Sequence, residues 1–356
     1  MATAHRFADG FLGYPLGTTD LSAVDSTWTS GTGTLDAVLG ELTAPASLRA
    51  DFTAGETCVA GVLWRCNRNR LNDDQVMALY AGSTRVMLLE VVNVPQDGID
   101  TAPHIFRLTT EAGVISETSA ASQILSGTDY WIVLSSRTVG AGSSHAVHVA
   151  TVGGSLTARS QLVSASTTLT ARNVDNWRCT SARATLGTVY VRGGTGAFGS
   201  SDRWEIPNKS YLPAASNGDY AVSSNWEDAA GGGNLAAPIG EGNPDADKTY
   251  LRDRTAPTAA AADRFSVKLA SAPRAAATIY AAKVSAMQML AVGAAATSRI
   301  MLSRGTSDSA GSTVSLGATY KGVGTRHLET EPVSAAALTI SNLATLDVGL
   351  ELVSMA

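Results

Sequence analysis

Charge is scarce in this chain. Asp, Glu, Lys and Arg make up 16% of its 356 residues, where an average globular protein has about a quarter. The two signs nearly cancel, 26 basic against 31 acidic, leaving a net charge of −5. No window carries the charge run of a polyanion-binding tail or the basic footprint of a nucleic-acid partner, so none is expected. Cysteine is scarce too. Cys58, Cys66 and Cys179 form no Cys-x-x-Cys pair. Cys58 and Cys66 lie in one apolar run, and at ~3.3 Å per residue a strand would hold them roughly 26 Å apart. That is beyond disulfide reach. Buried free thiols, in a protein made in a reducing cytoplasm, are the expectation. No apolar run approaches the ~18–20 residues of a membrane-spanning helix, which argues against membrane insertion. The start, MATAHRFADGFLGY, lacks the basic opening and apolar core of a signal peptide. A protein of this kind would leave a cell by lysis or as part of a particle.

The motifs of common chemistries are missing as well. There is no Gly-x-Ser-x-Gly nucleophile elbow and no phosphate-binding Gly-x-x-x-x-Gly-Lys-Ser/Thr loop. Gly193, Gly194, Gly196 and Gly199 read as turn material. His145 and His148 are three apart on a strand pattern, so they point to opposite faces and share no metal. Glycoside hydrolysis needs two carboxylates facing across a sugar, and no strand carries Glu-x-Asp-x-x-Glu or a near variant. Glu329 and Glu331 flank a loop at Pro332 and read as a solvated acidic turn. Asp245 and Asp247 could offer oxygens to calcium, but Asx turn bonding explains them equally well. No catalytic, cofactor-binding or metal residue is assigned, no cofactor is expected, and the chain is not expected to be an enzyme.

What the chain does have is Ala, Gly, Ser and Thr around short apolar runs. Hydrophobic residues make up 44%. Leu48–Phe52, Cys58–Cys66, Ile105–Thr109, Tyr130–Ser136, His145–Ala150 and Gly187–Val191 read as strands. Met77–Ala81 and Arg85–Val92 read as a hairpin about Gly82-Ser83. In Tyr130–Ser136 the inward set is either Trp131, Val133 and Ser135 or Tyr130, Ile132 and Leu134, because both faces are apolar. Ile279–Leu290 fits a helix or a strand. Pro257 and Pro273 cut short the alanine-rich windows at Ala259–Ala262 and Ala275–Ala277. Many short strands bounded by Gly, Ser and Asp predict an all-β protein of two β-sandwich domains, residues 1–200 and 201–356.

The order of features carries a resemblance. The opening Gly-Phe-Leu-Gly-Tyr (10–14), an Asp and Trp28 come first. Then come Trp131, in a strand entered through Gly-Thr-Asp-Tyr, and a final glycine-led strand at Gly187–Val191. This order resembles the laminin-G-like, concanavalin A-like jelly roll of many phage tail and virion proteins, over residues 5–195. Family members often carry an acidic pair before the last aromatic. This chain has Gly187-Thr-Val-Tyr190 there, so no glycan or metal site is carried over. Residues 202–356 resemble a partner module of phage structural proteins. The matching features are Asp202–Ile206, Trp226, Gly231–Gly233, Asp245–Tyr250, Asp263–Leu269 and the ending from Thr330 to Val353. A tryptophan usual in that ending is replaced by Ala337-Leu338-Thr339. The resemblance favours β structure over 279–290.

The resemblance implies a bacteriophage virion structural protein: a minor tail, fibre-like or decoration component, synthesised in the host cytoplasm. It would assemble with other virion proteins and with copies of itself. The alternative is a carbohydrate-binding module for host-surface glycans, since sugars stack on aromatic faces. Trp64 and Trp131 lie in apolar runs and are expected in the core. Trp28, Trp177, Trp204 and Trp226 lie nearer turns, where packing anchors, the latter two at the joint between modules, are the main expectation.

Overall fold

The computed structural model describes residues 4–12, 14, 18–36, 39–66, 74–93, 104–117, 124–139, 143–152, 160–167, 170–181, 184–197, 212–220, 225–239, 250–253, 262–271, 279–291, 293 and 295–355. The chain is all-β and divides into two compact units. One comprises residues 1–11 and 27–208, the other residues 12–26 and 209–356. The second unit thus includes a short segment from near the N-terminus.

The first unit holds β1 (Ala4–Asp9), β2 (Ser30–Asp36), β3 (Glu41–Gly55), β4 (Thr57–Cys66), β5 (Asp74–Ala81), β6 (Thr84–Asn93) and β7 (His104–Thr110). It continues with β8 (Gly113–Glu117), β9 (Asp129–Arg137), β10 (Ser143–Thr151), β11 (Ser160–Thr167), β12 (Val174–Ser181) and β13 (Ala184–Gly194). All pairings are antiparallel, in the order β11-β10-β9-β4-β13-β3-β12-β5-β6-β7-β8, with β1 on β13 and β2 on β3. The expected hairpin is β5–β6, with Gly82 supplying the left-handed φ of its turn.

β3 is longer than the sequence predicts and runs through Pro45. Leu42 and Thr43 pair with β13, while Ala46 onward pairs with β12. Pro45 has no N–H to give a ladder, and it sits where the strand changes partner. This change turns the sheet back on itself. Trp64 on β4 therefore meets Phe106 on β7, with ring centroids 6.1 Å apart, although the two strands are far apart in sheet order. Phe7 on β1 likewise meets Trp177 on β12 at 6.3 Å. The result is a sandwich with an aromatic core.

β9 shows why its pattern is ambiguous. Tyr130 faces Trp64 and Phe106 in the core, so Tyr130, Ile132 and Leu134 form the inward set. Trp131 points the other way and stacks on Tyr190 with centroids 5.8 Å apart. Trp131, Val133 and Ser135 are nevertheless fully buried, so the strand is buried on both faces.

The second unit holds β14 (Ala214–Asn217), β15 (Trp226–Asp228), α1 (Ala236–Ile239), β16 (Leu251–Asp253), β17 (Asp263–Leu269), β18 (Ala282–Val284), β19 (Met287–Gln288) and β20 (Ala296–Arg304). Then come β21 (Ser307–Ala310), β22 (Val314–Ser315), β23 (Lys321–Gly322), β24 (Arg326–Leu328), α2 (Ile340–Ala344) and β25 (Asp347–Met355). Its main sheet runs β14-β17-β25-β20-β21, with β22 on β20, and β15–β16, β18–β24 and β19–β23 form two-stranded ribbons. The run 279–290 is thus β, in two short strands. Period-2 alternation gives the main sheet one apolar face, with Phe265 and Val267 on β17, Leu350 and Leu352 on β25, and Ile300 and Leu302 on β20. Leu343 of α2 and Trp226 pack into that core, and the Trp226 and Phe265 ring centroids are 4.8 Å apart. Thr339 caps α2 by accepting the Asn342 N–H at 3.1 Å.

Candidate functional site

The described tryptophans are internal. Trp28 is 2% exposed, Trp177 0% and Trp226 9%. Trp28 stacks on Phe11 with centroids 5.8 Å apart and packs edge-on to Phe7. Trp64 and Trp131 are core, as expected. β4 makes room for the outer aromatic pair with a glycine: a Cβ on Gly61 would lie 2.0 Å from Tyr190 Cε1. Trp204, like Asp245, Asp247 and the strand read at Asp202–Ile206, lies outside the described residues.

Buried polar groups are structural too. Cys58 and Cys179 are buried thiols, and burial pushes the Cys58 thiol up to about 12. His145 and His148 fall on opposite faces of β10. His145 shares a 3.2 Å hydrogen bond with the Ser136 hydroxyl through Nδ1, and its Nε2 has no partner. Burial lowers its pKa to about 4, so the ring is neutral at pH 7.

Glu331 corrects the reading of 329–331 as a solvated turn. Its side chain is fully buried, and its Oε2 accepts the Ser334 N–H with Arg304 3.9 Å away. Burial alone would raise this carboxyl. Hydrogen bonds from Ser334 and Val333, together with Arg304, prevail and hold it below the ordinary carboxylate value. The tight return that buries it is marked by the Thr330–Ala337 bridge and by Ala335 at φ 58°. Alternation of charge and apolar residues gave no sign of it.

The most polar arrangement covers the other face of the main sheet of the second unit. Arg264, Glu351 and Arg299 stand side by side on β17, β25 and β20. Glu351 is 1% exposed and pairs with both arginines. Burial acts to raise its carboxyl, but Arg299 and Arg264 overcome that and hold it below the usual range. Arg264 also binds Asp308 at 2.9 Å, and Asp308 accepts the Tyr220 hydroxyl at 2.8 Å. Further along, Lys268 lies 3.2 Å from Asp219 and 3.5 Å from buried Asp347. Arg264 thus joins two carboxylates, but one is sealed between guanidiniums and kept ionised. A glycosidase acid needs the opposite, a carboxyl raised toward neutral pH. This face offers fixed, partly exposed donors and acceptors, suited to contact with another polar protein surface.

The opening motif forms two polar nodes, one in each unit. In the first, Asp9 Oδ1 accepts the Phe11 N–H at 2.8 Å and Oδ2 accepts the Trp28 indole N–H at 3.0 Å. In the second, the Tyr14 hydroxyl donates to Asp25 Oδ2 at 2.7 Å and accepts from Lys283 Nζ at 3.0 Å. Asp25 and Lys283 pair directly, and the Thr325 hydroxyl donates to Asp25 Oδ1. Among the described residues, no three of His, Cys, Asp and Glu group as a metal site. Among them, too, no helix is long and apolar enough to cross a membrane.

No family model matches this chain, and no curated protein matches it. Several solved structures are similar in part. The VIP36 exoplasmic/lumenal domain, in its Ca2+/Man2-bound form, is 7% identical, with a TM-score of 0.34 over 49% of this chain and 84% of its own. The CBM2 module of the evolved Dit of Lactobacillus casei BL23 phage J-1 is 10% identical, with a TM-score of 0.36 over 56% of this chain and 100% of its own. The metal-free lectin I-B4 from Griffonia simplicifolia is 11% identical, with a TM-score of 0.32 over 52% of this chain and 92% of its own. At these scores no ligand, partner or activity passes from them to this chain.

Proposed function

We propose that this chain is a bacteriophage virion structural protein, of minor tail, fibre-like or decoration type, that works by protein–protein assembly and not as an enzyme. The order of sequence features motivates the reading. One observation supports it: among the described residues, the tryptophans and the carboxylates Glu331 and Glu351 are used inside the units. Trp28, Trp177 and Trp226 are at most 9% exposed, and Glu331 and Glu351 are locked in structural bonds. Among the described residues, the partly exposed ion-pair face of β17, β25 and β20 is open to a partner. In a closed assembly one such face repeats around a symmetry axis. Other virion proteins and further copies of this chain are the proposed partners. The test is whether copies of the chain occupy a repeated position in purified particles.

Attachment to a host-surface glycan is the second reading. Tyr80 is a partly exposed aromatic that could contribute. Arg178 already lies over its ring, 3.9 Å from the centroid, so that face of Tyr80 is taken.

A further inference from the structure

Residues 12–26 are close in sequence to β1 and β2, yet they are packed as part of the second unit. Among the described residues this segment contains no strand. Its turn is local: Asp20 accepts the Ser22 N–H at 3.0 Å, and the Val24 and Asp25 N–H groups donate to the Leu21 carbonyl. Two sets of contacts hold it, and Leu21 within it is completely buried. Asp25, 2% exposed, takes bonds from Tyr14, Lys283 and Thr325, and the Ser26 hydroxyl accepts the Thr325 N–H at 2.8 Å. The Val24 carbonyl lies against Gly322, where a Cβ would approach it to 2.4 Å.

The receiving residues belong to short elements. Lys283 pairs with His327 across β18–β24, a ladder of three residue pairs, and Gly322 lies in the two-pair ribbon β19–β23. Ribbons this short are not stable alone. A buried carboxylate that bonds Tyr14, Lys283 and Thr325 would tie them together, and removing one partner would leave the other charge buried and unpaired.

We propose that residues 18–26 act as a latch on the second unit. When docked through Asp25, Ser26 and the Val24–Gly322 contact, the latch holds β18, β23 and β24 in place. When it is undocked, that part of the unit opens while the first unit stays folded. The inference is independent of the proposed function.

Hydrogen exchange and limited proteolysis on the full chain test it. Gly322→Ala pushes Val24 away without touching a charge, Asp25→Asn weakens the ion pair, and Gly317→Ala, whose Cβ would meet nothing within 4 Å, is the control. Both test variants should expose residues 18–26 to protease. They should also speed exchange in 282–284 and 321–328 by at least about tenfold, with β4 and β9 unchanged and the control like wild type. Either of two results would overturn the latch: unchanged exchange in 282–284 and 321–328, or faster exchange spread equally over β4 and β9. Should Asp25→Asn fail to fold, Gly322→Ala alone decides.

Discussion

The Asp9 carboxylate holds the indole of Trp28, 19 residues away in sequence, while its other oxygen takes the Phe11 N–H. One buried acid therefore fixes the backbone where Phe11 adopts a left-handed φ of 54° and fixes the ring on which Phe11 stacks. Without the acid, two buried donors lose their acceptor. Asp9→Ala is expected to destabilise the first unit by about 2–4 kcal/mol, read from urea unfolding. A loss below about 0.5 kcal/mol would mean that water satisfies both donors.

Trp28→Ala and Trp177→Ala remove core rings, each at a cost of about 3–5 kcal/mol. On a glycan array, neither variant should lose a specific signal while still folded by circular dichroism. A folded Trp28→Ala protein that selectively lost glycan binding would favour the attachment reading.

Gly61 lies under the ring of Tyr190, so its lack of a side chain is a packing requirement. Gly61→Ala would force the ring aside, and overpacking of this kind costs about 1–3 kcal/mol. Gly61→Ala combined with Tyr190→Leu should recover part of that loss. No recovery in the double-mutant cycle would show that the two sites are not coupled.

His145 gives a pH dependence with a definite sign. Its folded pKa, about 4, lies below the ordinary 6.5 because burial disfavours the imidazolium. The unfolded chain therefore binds a proton between pH 6.5 and 4 that the folded chain refuses, and stability falls as pH falls through that window, by at most about 1.4 kcal/mol per pH unit. His327 is depressed to about 4 in the same way, by burial and then by Lys283. Glu331 and Glu351, held below their ordinary value of 4.5, lose their contribution at lower pH still. His145→Gln should flatten the slope between pH 6.5 and 5, leaving the part due to His327. An unchanged slope would show that His145 protonates freely in the folded state.

Much of the strand content was legible because Gly82, Pro and Asx turns bound short β-branched runs. β9 was a strand from its residues, but its inward face was not readable, since Trp131 and Tyr130 are both buried. The Leu48–Phe52 run covers only part of β3, which continues through Pro45. That proline is tolerable only where the strand changes partners. Glu331 looked solvated because its burial depends on a tight return and on Arg304, 27 residues earlier. Tyr14 and Trp28 were visible in an ordered motif, but the bonds of Tyr14 to Lys283 and of Trp28 to Asp9 depend on packing that spacing does not encode.

Particle composition decides whether the protein assembles into a virion. Particles purified from the source of this chain would be examined by mass spectrometry and electron microscopy. The chain is expected in fixed copy number at a symmetry-repeated position, in contact with other structural proteins. Particles that lack the protein entirely would contradict this expectation.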